Sequence, residues 1–301
     1  MRPDSIQQAN ALPKFDRSVS MLAWGFNEEE SLESFFDRAF ALLEATAENF
    51  ELVFINDGSA DRTGAIADAY ALREPRLRVL HNERNLNVGI SSWRAIKAAR
   101  NEILFWQTVD WSYDIRHLRV FLELTKHFDV VQGVRPVPIR LLSYIPVLRS
   151  IYRVRSRSDS LRQAIVSLAN YYVIRILFGV RFHDMQNVTF YPTGVAQSLD
   201  LQSTTAFANP EGLIKAKARG LEFIEVPIGF LPREAGESKG GRIDFVIRSA
   251  IDVVRHWLKW GWRLRLGNRA EIAKPIYRVA EPVFLEEEII HLTARLFKEF
   301  R

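Results

Sequence analysis

From Ser18 to Trp106 the chain alternates short apolar runs with stretches of helical length, and this constrains the fold more than any other feature. Ser18–Ala23, Glu51–Ile55, Leu77–His81 and Ile103–Trp106 are the runs; they are too short for helices and rich in branched and aromatic residues, so each predicts a buried strand. Between them Asn27 to about Glu48, Asp61 to about Arg73 and Ile90–Arg100 predict helices, with acids in the first turn of the first and Asp61 as N-cap of the second. Strand and helix alternating through short connections predict an α/β fold with a mostly parallel, doubly wound sheet flanked by helices. Further on, Phe121–His127, Leu161–Leu177 and Glu211–Arg219 read as helices, and Val130–Gly133, Phe190–Pro192 and Phe223–Pro227 as strands. From Ile243 the tail reads as mostly helical. The expected organisation is a polar tail over residues 1–17, a catalytic-type α/β domain over 18–240 and a C-terminal helical appendage over 241–301.

The fourth run delivers Thr108, Asp110, Ser112 and Asp114 on alternate residues beyond its end. Ligands of open α/β sheets bind at the carboxyl ends of the strands. Hard oxygen ligands there suit Mg²⁺ or Mn²⁺ holding substrate phosphates, although a strand running into a polar turn looks the same. Asn56-Asp57-Gly58-Ser59 after the second run is an ordinary Asx turn or a nucleoside contact, and Gly58 permits its tight bend. Three polar loops, after Ala23, Ile55 and Trp106, would converge on one sheet edge. That is how a nucleotide pocket is built.

The chain has 301 residues and no cysteine, which excludes disulfides, thiolate metal sites and thiol catalysis and fits a reducing, cytoplasmic setting. Met1 to Arg17 lacks the apolar core of a secretion leader, and no window reaches the apolar length of a bilayer span. The net charge is +5, and from Arg135 to Arg175 there are eight arginines against one acid, Asp159. Such asymmetry points to an anionic partner: a phosphorylated substrate, phospholipid or nucleic acid. For nucleic acid no helix-turn-helix, zinc-finger or aromatic RNA-binding pattern supports the charge, so no nucleic-acid partner is expected.

Further motifs stand in order along the chain: Phe26-Asn27-Glu28-Glu29, Ile55-Asn56-Asp57-Gly58-Ser59, Asp110, Gly133-Val134-Arg135, His183-Asp184, Glu225-Val226-Pro227-Ile228 and Pro232-Arg233-Glu234-Ala235-Gly236-Glu237-Ser238-Lys239. In these the sequence resembles the family 2 glycosyltransferases of GT-A fold, and among them the polyprenyl-phosphate sugar synthases of dolichol-phosphate mannose synthase type. The resemblance runs from about Val19 to Lys239, and its last stretch is the most specific. It implies a UDP- or GDP-linked sugar donor, a divalent cation (Mg²⁺ or Mn²⁺) and inverting transfer. Asn27, Glu28, Asp57 and Gly58 would hold the nucleoside, and Asp110 the metal and through it the diphosphate. Asp184 stands where the family places its acceptor-side carboxylate, a general base for a hydroxyl acceptor and a positioning group for a phosphate. Arg135, Arg162, Arg233, Ser238 and Lys239 would bind phosphate oxygens, which guanidinium groups grip bidentately.

The sequence departs from the family pattern at several points. Thr108 stands where the family's Asp-x-Asp has its first carboxylate, Ser112 stands at a third ligand position, and Asn87 replaces a usual glycine. Neutral hydroxyls bind metal more weakly than carboxylate, so a degenerate, non-catalytic paralogue is an alternative, with Asp114 as a further available oxygen ligand.

The Ile243–Trp262 helix carries one apolar stripe, Ile243, Val246, Ile247, Ala250, Ile251, Val254, Trp257 and Leu258, with basic residues mostly elsewhere and tryptophans near its end. An interfacial membrane helix has that pattern, and so has a helix packed on a sheet. Leu141–Tyr152, apolar with interleaved arginine, would supply a second contact. The expectation is a peripheral protein on the cytoplasmic face of a membrane with a lipid-phosphate acceptor; the alternative is a soluble transferase acting on a saccharide or small molecule.

Overall fold

The computed structural model describes residues 13–134, 161–229 and 243–279, with side chains from 170 and from 247 onward in the last two stretches. Eight strands form one sheet in the order β3-β2-β1-β4-β6-β5-β7-β8. They are β1 (Val19–Gly25), β2 (Phe50–Asn56), β3 (Leu77–His81), β4 (Ile103–Trp106), β5 (Val130–Val134), β6 (Thr189–Pro192), β7 (Phe223–Pro227) and β8 (Tyr277–Arg278). Only β6 runs against its neighbours, β4 and β5; the other pairs are parallel. The helices are α1 (Leu32–Thr46), α2 (Thr63–Arg73), α3 (Asn87–Ala98), α4 (Leu118–Leu124), α5 (Leu161–Phe178), α6 (Thr193–Ser198), α7 (Ala208–Ala218), α8 (Ile243–His256), a π-helical turn (Trp257–Gly261), α9 (Trp262–Gly267) and α10 (Arg269–Ala273).

The strands alternate with period two between two buried layers, so both faces of the sheet are covered. Met21, Phe54, Phe105 and Phe190 pack on one side with Phe35 and Phe36 of α1 and Phe121 of α4. Leu22, Ile55, Trp106 and Tyr191 pack on the other with Ile96 of α3 and Leu213 of α7. Phe190 stacks between Phe105 and Phe121, at ring separations of 4.8 and 5.1 Å.

Register decides where the functional loops lie. Gly25, Asn56 and His81 stand level at the ends of β1, β2 and β3, and Gln107 N–H donates to the Leu22 carbonyl just past the end of β4. Because β6 is antiparallel, the segment entering it, 184–188, arrives at the same edge where β5 and β7 end. The predicted doubly wound sheet is thus present, and its carboxyl edge gathers the loops. Sequence bounds shift by a few residues: α1 starts at Leu32, and α2 at Thr63, whose N–H is taken by Asp61 Oδ1 at 3.0 Å. Neither α6 nor β8 was expected; β8 makes the C-terminal region part of the sheet.

α8 to α9 turns an apolar stripe outward, while Val253, Trp257, Trp260 and Leu264 pack inward. Ile247, Ile251, Val254, Leu258, Trp262 and Leu266 are 40–61% exposed, whereas Ser249, Asp252 and His256 are buried. The inner face is held by polar bonds. Asp252 Oδ2 accepts from Ser203 Oγ (2.6 Å) and Thr205 Oγ1 (2.9 Å), and Oδ1 lies 3.2 Å from His256 Nδ1. Trp257 Nε1 donates to the Leu177 carbonyl (3.1 Å) and Arg265 to that of Ile176 (2.6 Å), joining the rod to the end of α5. Burial works against the Asp252 charge, yet bonds from His256, Ser203 and Thr205 outweigh it and hold this carboxyl below its ordinary value. Burial likewise opposes the His256 charge, and its bonds to Asp252 raise it overall.

A raised histidine contributes stability fully present below its unfolded value of 6.5 and lost as pH rises through the folded one. The lowered Asp252 contributes above 3.8, and its share is lost as pH falls through its folded value. Hydrogen exchange of α8, corrected for intrinsic rates, should therefore show protection that is greatest in the mildly acidic range and declines above neutrality. Asp252→Asn should flatten that dependence; an unchanged profile would show that the pair does not anchor the helix.

Candidate active site

The loops after β1 and β2 are laced to one another. Asn27 N–H donates to Ser59 Oγ (3.0 Å), Ala60 N–H to Asn27 Oδ1 (2.9 Å) and Glu28 N–H to Thr63 Oγ1 (2.8 Å). Asn27 therefore shapes this loop with both backbone and side chain. Asp57 is buried; its Oδ1 accepts from Asn82 Nδ2 (2.6 Å) and Leu86 N–H (2.9 Å) of the β3–α3 connection. Arg94 bonds Asn82 from behind, so the carboxylate sits on a fixed support. Gly58 has a φ of +68°, and a Cβ there would collide with the Arg84 backbone. No other residue fits without moving that connection. Asn87 has a φ of +69°, which explains how it stands in for glycine: asparagine tolerates the left-handed region.

Past β4 the chain turns tightly. Trp111 adopts a φ of +52°, its N–H donates to the Thr108 carbonyl (2.9 Å), and its ring is buried edge-on to Phe35. That anchor brings Thr108, Asp110 and Ser112 together: Ser112 Oγ donates to Asp110 Oδ1 (2.6 Å) and Ser112 N–H to Thr108 Oγ1 (3.1 Å). Gln107, not singled out from the sequence, braces the turn by donating to the Tyr113 carbonyl (2.8 Å) and accepting from Thr108 N–H (2.9 Å). Its only sequence signal is an amide directly after an apolar strand. Asp114 is a correction: instead of standing available as a ligand it is gripped bidentately by Arg116, at 2.8 and 2.7 Å. Its N–H also bonds the Gly229 carbonyl, which ties this turn to the end of β7.

Asp184, also buried, lies at the start of the segment entering β6, with Gln186 N–H (3.2 Å) and Asn187 Nδ2 (3.4 Å) at its carboxylate. His183 N–H donates to Glu225 Oε1 (2.7 Å), and Gln132 Nε2 donates to the Asp184 carbonyl. Glu225 was noted in a motif but given no role; a lone acid inside the apolar run of β7 is the signal that could have marked it. Arg135, Arg233, Ser238 and Lys239 lie outside the described residues, as does the side chain of Arg162 on α5. Val134 and Gly229, which directly precede two of those stretches, both stand at the site edge.

The donor set at the Asp110 turn is one carboxylate and two hydroxyls. Among the described residues no three His, Cys, Asp or Glu side chains cluster as metal ligands. Such a set fits Mg²⁺ or Mn²⁺ that completes its shell with substrate phosphates, since these ions need only one or two protein carboxylates.

Residues 25–166 match the model of the family described as Glycosyl transferase family 2. The chain is 29% identical over 255 residues to the undecaprenyl-phosphate mannosyltransferase of Micrococcus luteus, covering 80% of this chain and 96% of that protein. It is 25% identical over 261 residues to glycosyltransferase AglD of Haloferax volcanii, covering 84% of this chain but only 39% of that longer protein. Glucosyl-3-phosphoglycerate synthase of Mycobacterium tuberculosis, solved with Mn²⁺, UDP-glucose and phosphoglyceric acid, superposes with a TM-score of 0.52 at 14% identity, over 84% of this chain and 83% of that one. With the edge constellation above, these findings make the chain similar to the family 2 glycosyltransferases over nearly half its length, and the superposition gives it a GT-A type fold.

Proposed function

We propose that this protein transfers a sugar, with inversion, from a UDP- or GDP-linked donor to a polyprenyl phosphate at a membrane surface. The acceptor named for the similar Micrococcus luteus enzyme, undecaprenyl phosphate, supports the reading. The observation that carries the lipid side is the outward apolar stripe of α8–α9, with Arg248, Arg255, Lys259 and Arg263 exposed on the same rod. A helix serving only the core would turn that stripe inward. The contact proposed is the outward stripe lying on a membrane's cytoplasmic face; no helix among the described residues is long and apolar enough to cross a membrane. Residues 18–240 are read as the catalytic unit and 241–301 as a C-terminal region whose α8–α9 faces the membrane while β8 joins the sheet.

In this reading Asn27, Glu28, Asp57 and Gly58 form the nucleoside end of the site. Asp110, with Thr108 and Ser112, would hold Mg²⁺ or Mn²⁺, which when bound neutralises charge on the leaving nucleotide. Asp184 orients the acceptor. A phosphate is already ionised and needs no base, so inversion follows from direct attack by its oxygen on the face opposite the leaving group. For a hydroxyl acceptor, the soluble alternative, Asp184 would take the proton. Arg135, Arg162, Arg233, Ser238 and Lys239 are assigned to phosphate oxygens through the resemblance alone.

Calorimetric titration tests the donor side. UDP or GDP should bind measurably tighter with Mn²⁺ than without, and Mn²⁺ alone should bind weakly, because Asp110 is the single carboxylate of the set. Failure of both nucleotides to bind under either condition would contradict a donor site here.

A further inference from the structure

Gln132 on β5, Glu225 on β7 and Arg278 on β8 stand at one register level on adjacent strands. Register partners point to the same face of a sheet, so the three form a polar row across an otherwise apolar surface. Glu225 is completely buried between Ile224 and Val226, where a carboxyl group is costly unless it is bonded. Its bonds go to two residues, His183 and Arg278. Oε1 accepts from His183 N–H (2.7 Å), and Oε2 meets His183 Nδ1 (2.5 Å) and Arg278 Nη2 (2.9 Å).

The neighbouring residues are held the same way. Gln132 Nε2 donates to the Asp184 carbonyl, and Tyr171 OH donates to the Phe182 carbonyl (2.6 Å) while accepting from Arg175 Nη1. Three consecutive residues are thus gripped by side chains from β5, β7 and α5, immediately before the Asp184 carboxylate. Burial, and then the Asp184 charge, push the Glu225 carboxyl up to about 8 against the opposing charge of Arg175, so the two acids sense each other. Sheet packing asks for none of this; an apolar residue at 225 would fill the layer.

We propose that Glu225 is a positioning residue of the transfer reaction, fixing the Asp184 carboxylate toward the acceptor through His183. This rests on the acceptor-side role proposed above for Asp184. Misplacing a reacting group by about 1 Å costs on the order of 10²-fold in rate. Glu225→Leu removes both bonds to His183 and should therefore lower kcat for transfer to polyprenyl phosphate by about 10²-fold, with KM for the nucleotide sugar and donor hydrolysis unchanged. His183 is 40% exposed at its side chain, so His183→Ala does not threaten the core and should show the same kcat-selective loss. If Glu225→Leu does not fold, His183→Ala decides alone.

Equal loss of hydrolysis and transfer in the folded variants, or wild-type kcat with only a lowered Tm, would overturn the proposal and leave Glu225 structural. Asp184→Asn separates the two readings. If that variant fails to transfer while His183→Ala transfers normally, only this inference falls. If Asp184→Asn itself transfers normally, the assignment of Asp184 falls and the inference with it.

Discussion

Asp110→Asn is expected to reduce sugar transfer by about 10³-fold, the scale of losing several kcal/mol of charge stabilisation at a leaving group. The substitution keeps shape and the acceptor oxygen that Ser112 Oγ and N–H now use, at 2.6 and 3.2 Å, so the turn should persist. Only the charge goes. No second carboxylate of this turn can substitute, because Thr108 and Ser112 are hydroxyls and Asp114 is engaged by Arg116. The companion change Thr108→Asp adds the missing carboxylate and should tighten Mn²⁺ binding about tenfold, through one more charged oxygen ligand. Initial rates at saturating donor and metal, with Mn²⁺ titrations of both variants, measure the pair. Undiminished transfer by Asp110→Asn would remove this turn from the chemistry.

The second large effect is on membrane contact. Ile251 and Leu258 are each 61% exposed, so replacing both by glutamate removes apolar contact and adds two charges without disturbing the core. Burying such side chains in lipid is worth about 3 kcal/mol for the two together, so partition onto anionic vesicles should fall about 10²-fold. Arg248, Arg255 and Lys259 each add roughly 1 kcal/mol near an anionic surface, which should make wild-type binding weaker on neutral vesicles and in high salt. Co-sedimentation gives the partition and circular dichroism the check on folding. A folded double variant that binds vesicles like wild type would show that the stripe faces something else.

Strand positions were legible because β1, β2 and β4 are apolar runs buried on both faces, a pattern that survives without knowledge of neighbours. The position of the edge residues was legible for a related reason: polar residues directly after such strands lie at the sheet's carboxyl edge, and the motif resemblance supplied their order. What stayed hidden depends on partners distant in sequence. The amphipathic pattern of α8 is the same whichever way it faces. Its orientation follows from Asp252 bonding Ser203 and Thr205, which are 49 and 47 residues away. The row of Gln132, Glu225 and Arg278 appears only once three strands are in register, and β8 is two residues long. Asp114 looked like a ligand because its pairing with Arg116 depends on a local turn that a carboxylate count does not show.

Polyprenyl-phosphate transfer is decided by following radiolabelled sugar from UDP- and GDP-sugars to polyprenyl phosphate in vesicles with Mn²⁺, with wild type and with Asp110→Asn. Wild type should give lipid-linked sugar from one donor class, and the variant should lose nearly all of it. Donor hydrolysis without lipid product would redirect the acceptor to a saccharide or small molecule. Absence of both hydrolysis and transfer with every donor would contradict the account.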